Sequence, residues 1–297
     1  MCKKQGRLRR LPEIECLFPK TVQEALSMLG KHNGSARVIS GGTDVINKLK
    51  RRDLTAKYII DLKTIADLNF IRNDIEGLRI GAVTTMSDIL DSPFVSELYP
   101  IITDALSVLA CLQIRNTASM VGNLCNAVPS ADSAPPLIAL QAKLKLVSRE
   151  KERMIPVEDF FTGPGTSVLA PGELVTEILI PPPSSPGAGT YLKHQLRAEM
   201  DLAMVGVGVY LAFDAKKSIC ENARIALGAV APVPMRAKKA EDILNGKVLT
   251  DSLIETAARI ASEESKPIDD IRSSAEYRKT IVEVLTKKAI RQCVDRA

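Results

Sequence analysis

The feature that most constrains the fold is the run at 181–189, Pro-Pro-Pro-Ser-Ser-Pro-Gly-Ala-Gly. Proline stiffens a chain and glycine loosens it, and neither residue suits the interior of a helix or of a central strand. Such a composition is typical of a linker. The run therefore predicts a first domain over residues 1–180, a linker over 181–189 and a second domain over 190–297.

Strand-like and helical patterns lie on both sides of this run. Before it, strands are predicted at 36–40, 58–62, 78–82, 144–148 and 174–180, and helices begin near residues 22, 45 and 84 and cover 100–112. After it, strand-like runs at 190–195, 204–213 and 223–230 precede helical runs at 237–244, 252–262 and 276–289. Strands followed by helices, without βαβ alternation, predict an α+β fold for the second domain.

The composition is that of an ordinary globular protein, and it argues against nucleic-acid-binding and membrane-spanning proteins. Apolar residues make up 45% and charged residues 25% of the chain, and the net charge is +5. This mildly basic balance, without a basic face or interleaved aromatics, argues against nucleic-acid binding. We expect a cytoplasmic protein with no membrane span, since no signal peptide or long apolar run is evident. The basic runs at 3–10 and 48–52 are expected to be solvated surface, with a subunit contact or a nearby anionic cofactor as the alternative.

The sequence shows no recognisable set of side chains that could catalyse a reaction without a cofactor. There are two histidines, and no HExxH, GxSxG or GxxxxGK[ST] motif is present. The six cysteines form no CxxC pair, which argues against a disulfide framework, a zinc site or an iron–sulfur cluster. Gly206 and Gly208 are expected to let a strand pack closely, because Leu211 stands where a dinucleotide-binding motif needs its third glycine. We therefore expect no catalytic residue and no metal ligand, and a bound cofactor for any reaction.

A first polar loop comprises Ser40, Gly41, Gly42, Thr43 and Asp44, between a predicted strand and a predicted helix. Paired glycines bring backbone N–H groups close to an anion, and the helix that follows adds a favourable dipole. The alternative is a tight strand–helix turn that binds nothing.

A second polar segment, 115–132, is predicted to be an irregular loop rich in small side chains. Gly122 permits close backbone approach, while Asn123 and Asn126 can bond phosphate or ribose oxygens and Asp132 can accept from ribose hydroxyls. Loops of this length inside a compact domain are usually functional. The alternative is a polar loop stabilised by Asx turns.

Together the two loops resemble the FAD-binding signature of the medium subunits of molybdenum hydroxylases, the family of xanthine dehydrogenase and carbon monoxide dehydrogenase. The resemblance runs from about Phe18 to near the C-terminus. The segments that carry it, in chain order, are 40–44, 81–85, Arg115-Asn116, 122–124, 129–135, Tyr191, Lys193, Arg197, Asp201, 227–236 and Tyr277-Arg278.

The resemblance implies an α+β architecture in which a FAD-binding domain of the vanillyl-alcohol-oxidase-like (PCMH) type precedes an antiparallel-sheet-plus-helices domain. The FAD-binding domain would contain two α+β subdomains that divide near residue 62. The flavin would be held noncovalently, because Thr43 stands where tethered relatives carry a histidine.

The resemblance also implies an oxidoreductase subunit whose partners carry the hydroxylation chemistry. These partners would be a large molybdopterin-containing subunit and a small subunit with 2Fe-2S clusters, assembled as a dimer of heterotrimers. Electrons would pass from the clusters to this FAD and then to an external acceptor such as NAD or a quinone. No cluster is expected in this chain, because the insertion that carries one in hydroxybenzoyl-CoA reductases is not evident.

Loop chemistry and the resemblance together assign the cofactor contacts. The 41–43 backbone and the Thr43 hydroxyl would bond the pyrophosphate, and 119–123 would close on it from the other side. Asp132 would bind ribose or ribityl hydroxyls, Lys193 would lie near the polar edge of the flavin, and Tyr191 would stack on or gate the ring. The full expected set is Ser40, Gly41, Gly42, Thr43, Asp44, Thr84, Ser119, Gly122, Asn123, Asn126, Asp132, Tyr191 and Lys193.

One departure leaves alternatives open. Val121 stands where the family commonly has a glycine, and a positive φ would be costly for a β-branched residue, so the loop is expected to be re-aimed. A cofactor-free scaffold subunit is therefore one alternative. A self-sufficient flavin-dependent oxidoreductase is another, although the scarcity of histidine and aromatic residues argues against it.

Overall fold

The computed structural model describes residues 10–183 and 185–297. Cys2, most of the basic run at 3–10 and one residue of the predicted linker lie outside the described residues. Within the described ranges, no helix has the length and apolar character needed to cross a bilayer.

The first part of the chain forms a small parallel sheet with two helices. Its strands β1 (Glu15–Leu17), β2 (Ala36–Ile39) and β3 (Tyr58–Asp61) pair in the order β1-β3-β2, with α1 (Val22–Lys31) and α2 (Val45–Arg51) between them in sequence. Thr21 caps α1 by accepting from the Glu24 N–H at 3.1 Å. The Glu24 carboxylate accepts from the Lys20 N–H at 2.7 Å, so the predicted capping box closes one residue earlier than its motif implies.

A five-stranded antiparallel sheet follows. Its strands are β4 (Ile71–Asp74), β5 (Gly77–Gly81), β6 (Lys143–Val147), β7 (Glu152–Pro156) and β10 (Leu174–Ile180), which pair in the order β4-β5-β10-β6-β7. Strands β8 (Phe161–Gly163) and β9 (Thr166–Ser167) form a separate hairpin. The helices are α3 (Met86–Leu90), α4 (Pro93–Leu98), α5 (Pro100–Ser107), α6 (Leu112–Arg115), α7 (Met120–Cys125) and α8 (Ala134–Ala139). One apolar core joins this sheet, these helices and the first sheet.

The last part is an antiparallel sheet covered by three helices. The strands are β11 (Gly187–His194), β12 (Val205–Phe213), β13 (Cys220–Gly228) and β14 (Met235–Arg236), and the helices are α9 (Lys238–Leu244), α10 (Asp251–Glu264) and α11 (Ala275–Arg296). Val207, Val209 and Leu211 alternate along β12 and are fully buried in a second core. The predicted strands-then-helices order is confirmed here.

Three sequence-based boundaries are corrected. The helix predicted at 100–112 ends at Ser107, and Ala110 has a positive φ of 52°, which no α-helix accommodates. The segment predicted as an irregular loop at 115–132 contains α7. The first strand of the third sheet, predicted at 190–195, begins at Gly187, within the run predicted to be linker.

Helix α8 packs directly on the third sheet and so fixes the segment that precedes it. A Cβ on Gly208 would lie 3.0 Å from the Pro135 carbonyl carbon, and a Cβ on Gly228 would lie 2.9 Å from Pro135 Cγ. These glycines permit close packing, as predicted for Gly208.

Candidate cofactor-binding site

A cavity of about 660 Å³ lies where the two polar segments meet. Its walls come from loop 40–44 and α2, from 118–132, and from two further segments, 169–175 and 200–202. About two thirds of the lining residues are apolar or glycine, and about one third carry polar side chains, a combination that suits a cofactor with both ring and polar groups.

The loop at 40–44 packs against the second polar segment through Gly41. A Cβ at Gly41 would lie 2.1 Å from the Thr117 carbonyl oxygen, so only glycine fits this contact. Gly42 has a φ of +70°, which also favours glycine. Within the described residues, the N–H groups of Gly42 and Thr43 donate to no backbone carbonyl, and the buried Ser40 hydroxyl has no partner. These are free donors at the cavity wall.

Helix α7 forms the opposite wall because Ser119 caps it. The Ser119 hydroxyl accepts from the Gly122 N–H at 3.1 Å. Asn123 Oδ1 accepts from the Ser133 hydroxyl at 2.6 Å, which leaves the Asn123 amide NH₂ available. Asn126 Oδ1 accepts from Lys48 Nζ at 2.5 Å, so this contact links α7 to α2.

Asp132 is the carboxylate at the end of this segment, and it is 7% exposed. Tyr191 donates its hydroxyl to Asp132 Oδ1 at 2.7 Å, and Lys193 Nζ donates to Asp132 Oδ2 at 2.9 Å. Burial raises the pKa of the Asp132 carboxyl above its usual value, and the Lys193 charge and the two hydrogen bonds oppose that rise. Each carboxylate oxygen retains a lone pair that can accept from a hydroxyl in the cavity.

The two donors to Asp132 stand on the same face of β11, two residues apart. Gly206 faces them from β12, and a Cβ there would lie 2.5 Å from the Tyr191 hydroxyl. Gly206 therefore makes room for the phenol ring. Burial and the neighbouring Asp132 charge raise the pKa of Tyr191 well above its usual value, so its hydroxyl stays protonated and donates.

A turn from the third sheet holds the second polar segment from behind. The Ala229 N–H donates to the Pro129 carbonyl at 2.8 Å, and Arg278 donates to the Ala229 carbonyl at 3.2 Å. Arg278 and Arg272 in turn each reach Asp270 at 2.7 Å.

The segment at 196–202 closes one side of the cavity. Asp201 accepts from the N–H groups of Leu196, Arg197 and Leu202 at 2.9–3.0 Å. Its own carbonyl accepts from Lys193 Nζ at 2.9 Å. Lys193 therefore ties this segment to Asp132.

The polar groups of the cavity fit a phosphate-rich and hydroxyl-rich cofactor. Free N–H groups and an unpartnered hydroxyl lie at 40–43, and donors of this kind bind phosphate oxygens. Asp132 lies at the wall as an acceptor for sugar or ribityl hydroxyls. Apolar walls between these groups suit an aromatic ring system.

Comparison with known proteins identifies the family. Residues 12–183 match the family described as the FAD binding domain in molybdopterin dehydrogenase, and residues 190–293 match the CO dehydrogenase flavoprotein C-terminal domain. The chain belongs to this family of FAD-binding dehydrogenase subunits. The predicted FAD cofactor, oxidoreductase class and α+β order of a FAD-binding part followed by an antiparallel-sheet part are thereby confirmed.

Relatives in this family match along nearly their whole length. The chain is 34% identical over 281 residues to the glyceraldehyde dehydrogenase medium chain of Sulfolobus acidocaldarius, covering 95% of this chain and 98% of that protein. It is 31% identical over 276 residues to a putative xanthine dehydrogenase FAD-binding subunit of Escherichia coli, covering 92% and 94%. Among solved structures, carbon monoxide dehydrogenase from Hydrogenophaga pseudoflava matches with a TM-score of 0.93 at 29% identity, covering 97% of this chain and 99% of that one.

Most of the predicted contact residues meet at the cavity. Those that line it are Ser40, Gly41, Gly42, Thr43, Asp44, Ser119, Gly122, Asn123, Asn126 and Asp132.

Three predicted residues do not line the cavity. Thr84 is 1% exposed, and its hydroxyl donates to the Phe70 carbonyl at 3.0 Å, so it holds a turn. Tyr191 lies behind Asp132 and is 4% exposed, so in this structure its ring is not free to stack on a flavin. Lys193 also lies behind the wall, because its side chain is 2% exposed and reaches Asp132.

The predicted strain at Val121 is absent. Val121 lies inside α7, outside the set of residues with positive φ, and is 5% exposed. A valine is therefore compatible with this wall, and the loop needs no re-aiming to accommodate it.

Sequence reasoning assigned no cofactor contact to three polar residues of the wall, Arg37, Lys48 and Glu173. Lys48 belongs to a basic run that was expected to be solvated surface, with a subunit contact or a nearby anionic cofactor as the alternative, and it lines the cavity. Its spacing from Asp44 could have indicated this position, because residues four apart on a helix lie on the same face. Glu173 lines the cavity and pairs with Arg153 at 2.7 Å, and no sequence motif marks it.

Proposed function

We propose that this chain holds FAD noncovalently in the 660 Å³ cavity and acts as the electron-transfer subunit of a molybdenum hydroxylase. The observation that carries the proposal is the meeting of loop 40–44, α7 and Asp132 around one cavity, in a chain whose family binds FAD. FAD accepts and releases one or two electrons, which suits a relay between a donor and an acceptor.

The chain's own residues would bind and orient the cofactor. The N–H groups of Gly42 and Thr43 and the Ser40 hydroxyl would donate to the pyrophosphate, and Asn123 would donate from α7. Asp132 would accept from ribose or ribityl hydroxyls. Tyr191 and Lys193 would act through Asp132 by holding its carboxylate in place.

The residue after the paired glycines supports the proposed noncovalent mode. Thr43 follows the paired glycines, and a threonine hydroxyl is not the histidine nitrogen that tethers flavin in the related oxidases.

We further propose that electrons reach this flavin from 2Fe-2S clusters in a small partner subunit and leave to NAD or a quinone. A large molybdopterin-containing subunit would carry out the hydroxylation, and two heterotrimers would pair in the cytoplasm. Names of relatives support the partner scheme. A further matching structure is described as a Cu,Mo-CO dehydrogenase, the Hydrogenophaga structure as a carbon monoxide dehydrogenase that lacks the Mo-pyranopterin moiety of the molybdenum cofactor, and the Escherichia coli protein as a FAD-binding subunit.

We also propose the domain division at 1–180, 181–189 and 190–297, with a subdomain boundary near 62, although strand β11 already begins at Gly187, inside the linker. The two family matches stop at 183 and resume at 190, which supports a boundary there. The change from the first sheet to the second, after β3 ends at Asp61, supports the subdomain boundary.

The visible spectrum of the purified chain tests the proposed cofactor, recorded before and after acid precipitation. Twin flavin bands that move to the supernatant are expected for noncovalent FAD. A flavin that stays in the pellet would contradict the noncovalent mode. A colourless chain that also takes up no added FAD, alone or with its co-expressed partner subunits, would contradict the proposal and favour a scaffold role.

A further inference from the structure

Lys48 is a cation in the cavity wall, and it joins the two polar segments. It lies on α2, one helical turn after Asp44, and lines the cavity with loop 40–44. Its Nζ donates to Asn126 Oδ1 on α7 at 2.5 Å, across 78 residues of sequence. One side chain therefore reaches the two walls between which the free N–H groups of Gly42 and Thr43 lie.

The Lys48 charge has no acidic partner among the residues that the structure describes. The ion pairs found there at 4.0 Å or less include Lys63 with Asp61 at 2.9 Å and Lys193 with Asp132 at 2.9 Å, whereas the contact of Lys48 is a neutral amide. An ammonium has three donors, so two remain after the bond to Asn126. An unpaired cation with free donors at a cavity wall favours an anionic ligand.

The position of Lys48 selects the part of the ligand that it would meet. Long side chains on an α-helix point back toward the N-terminus of the helix, which here is loop 40–44. In FAD the phosphates carry the negative charge at neutral pH, while the oxidised ring system, the sugar and the adenine are neutral. The ammonium would therefore meet the pyrophosphate.

We propose that Lys48 is a further cofactor-binding residue, which pairs with the pyrophosphate while Asn126 orients its ammonium. The proposal rests on the proposed function, because it takes the cavity to be the FAD site. Arg37 also lines the cavity, but its guanidinium donates to the carbonyls of Gly34 and Ala36. The proposal assigns an electrostatic contribution to Lys48 in particular and none to Lys50, its neighbour on α2 that does not line the cavity.

Titration of the apo full-length chain with FAD, followed by flavin fluorescence, tests this role. Lys48→Met is compared with Lys48→Arg and with Lys50→Met, which removes the same charge from α2 at a residue that does not line the cavity. Each titration is run at about 0.1 M and about 1 M KCl, where the Debye length is about 10 Å and about 3 Å. Circular dichroism confirms that each variant is folded.

We expect Lys48→Met to raise the Kd for FAD about tenfold at the lower salt concentration, because it removes a charge-assisted hydrogen bond. At the higher salt concentration the ratio to wild type should shrink to about threefold or less, since screening weakens the wild-type contact. Lys48→Arg should stay within about threefold of wild type, and Lys50→Met within about twofold.

Three results would overturn the inference: an unchanged Kd in Lys48→Met, a loss of equal size at both salt concentrations, or an equal loss in Lys50→Met. The first result would mean that Lys48 does not contact the cofactor. The second would mean that the contact does not depend on charge. The third would mean that the positive charges of the whole basic run act on the cofactor from a distance. A wild-type chain that binds no FAD would instead contradict the proposed function itself.

Discussion

Tyr191 and Asp132 are 59 residues apart in the chain, yet the tyrosine hydroxyl lies 2.7 Å from the Asp132 carboxylate, with both groups buried. Lys193, two residues further along the same strand, bonds the other carboxylate oxygen at 2.9 Å. A buried carboxylate that is held by two donors has a fixed orientation. Because Asp132 lines the cavity, we expect its remaining acceptor positions to be available to a hydroxyl of the cofactor.

Replacement of Asp132 by alanine should weaken FAD binding without unfolding the chain. The Kd for FAD is expected to rise by about tenfold or more, because hydrogen bonds to a charged group are lost. Asp242→Ala removes an exposed carboxylate from α9 and should leave the Kd unchanged. Fluorescence titration measures both variants, and an Asp132→Ala chain that holds FAD as wild type does would refute the assignment.

Tyr191→Phe should weaken FAD binding less than Asp132→Ala does and make it more sensitive to acid. Burial already raises the pKa of Asp132, and the tyrosine hydrogen bond is one of the groups that oppose this rise. Without it, the pKa rises further, so protonation and loss of FAD on acidification should begin at a higher pH than in wild type.

A pH series of FAD titrations on Tyr191→Phe measures that shift. Tyr58→Phe, a tyrosine outside the cavity lining that stacks on His32, is the matched control. Identical pH profiles for wild type and Tyr191→Phe would show that the hydroxyl does not influence the carboxylate.

Gly206→Ala should disturb the site through Tyr191. The new Cβ would lie 2.5 Å from the tyrosine hydroxyl, so the ring must move and release Asp132. We expect weaker FAD binding in this variant, and a smaller additional loss when the same change is made in Tyr191→Phe, where the clashing oxygen is gone. Strictly additive effects in the double-mutant cycle would contradict the contact.

Gly41→Ala should separate the two polar segments. Its Cβ would lie 2.1 Å from the Thr117 carbonyl oxygen, which belongs to the backbone and cannot turn away. Loss of FAD binding is expected. Gly30→Ala, whose Cβ has Arg149 at 3.9 Å as its nearest neighbour, should keep FAD and gain about 0.5–1 kcal/mol of stability in α1. Equal FAD affinity in the two variants would exclude a close contact at Gly41.

Because of Asp270, we expect the stability of the chain, including the turn that bonds Pro129, to decrease in acid. Although burial raises the pKa of Asp270, hydrogen bonds and charges of Arg272 and Arg278 lower it well below its usual value. A folded-state pKa below the unfolded value of about 3.9 contributes stability above that pH, which is lost as the pH falls through and below it. Urea unfolding at about pH 6 and about pH 3 should show a larger loss for wild type than for Asp270→Asn. Equal losses in the two chains would refute this.

Much of the architecture was accessible from the sequence because it depends on local patterns. The bulky apolar residues at alternate positions of β12, Val207, Val209 and Leu211, and the cap at Thr21 are visible in the residue order. Helix α7 was not predicted, since Gly122, Asn123 and Asn126 have low helix propensity. The cap at Ser119 and the packing of the cavity wall stabilise this helix in the folded chain.

The site was predicted in part. The family resemblance and the small polar residues indicated both loops and Asp132. The positions of Tyr191 and Lys193 behind Asp132 depend on the register of β11 with β12 and on the space left at Gly206. Such contacts are long-range, so no local pattern shows them. For the run at 48–52, solvated surface was the preferred expectation and a nearby anionic cofactor the alternative; that Lys48 lines the cavity favours the alternative for this residue.

A crystal structure of the FAD-loaded chain tests the central claim most directly. The account predicts the pyrophosphate between loop 40–44 and α7, and a ribose or ribityl hydroxyl within hydrogen-bond distance of Asp132. Electron density for FAD elsewhere, or a pyrophosphate that contacts neither loop 40–44 nor α7, would contradict it.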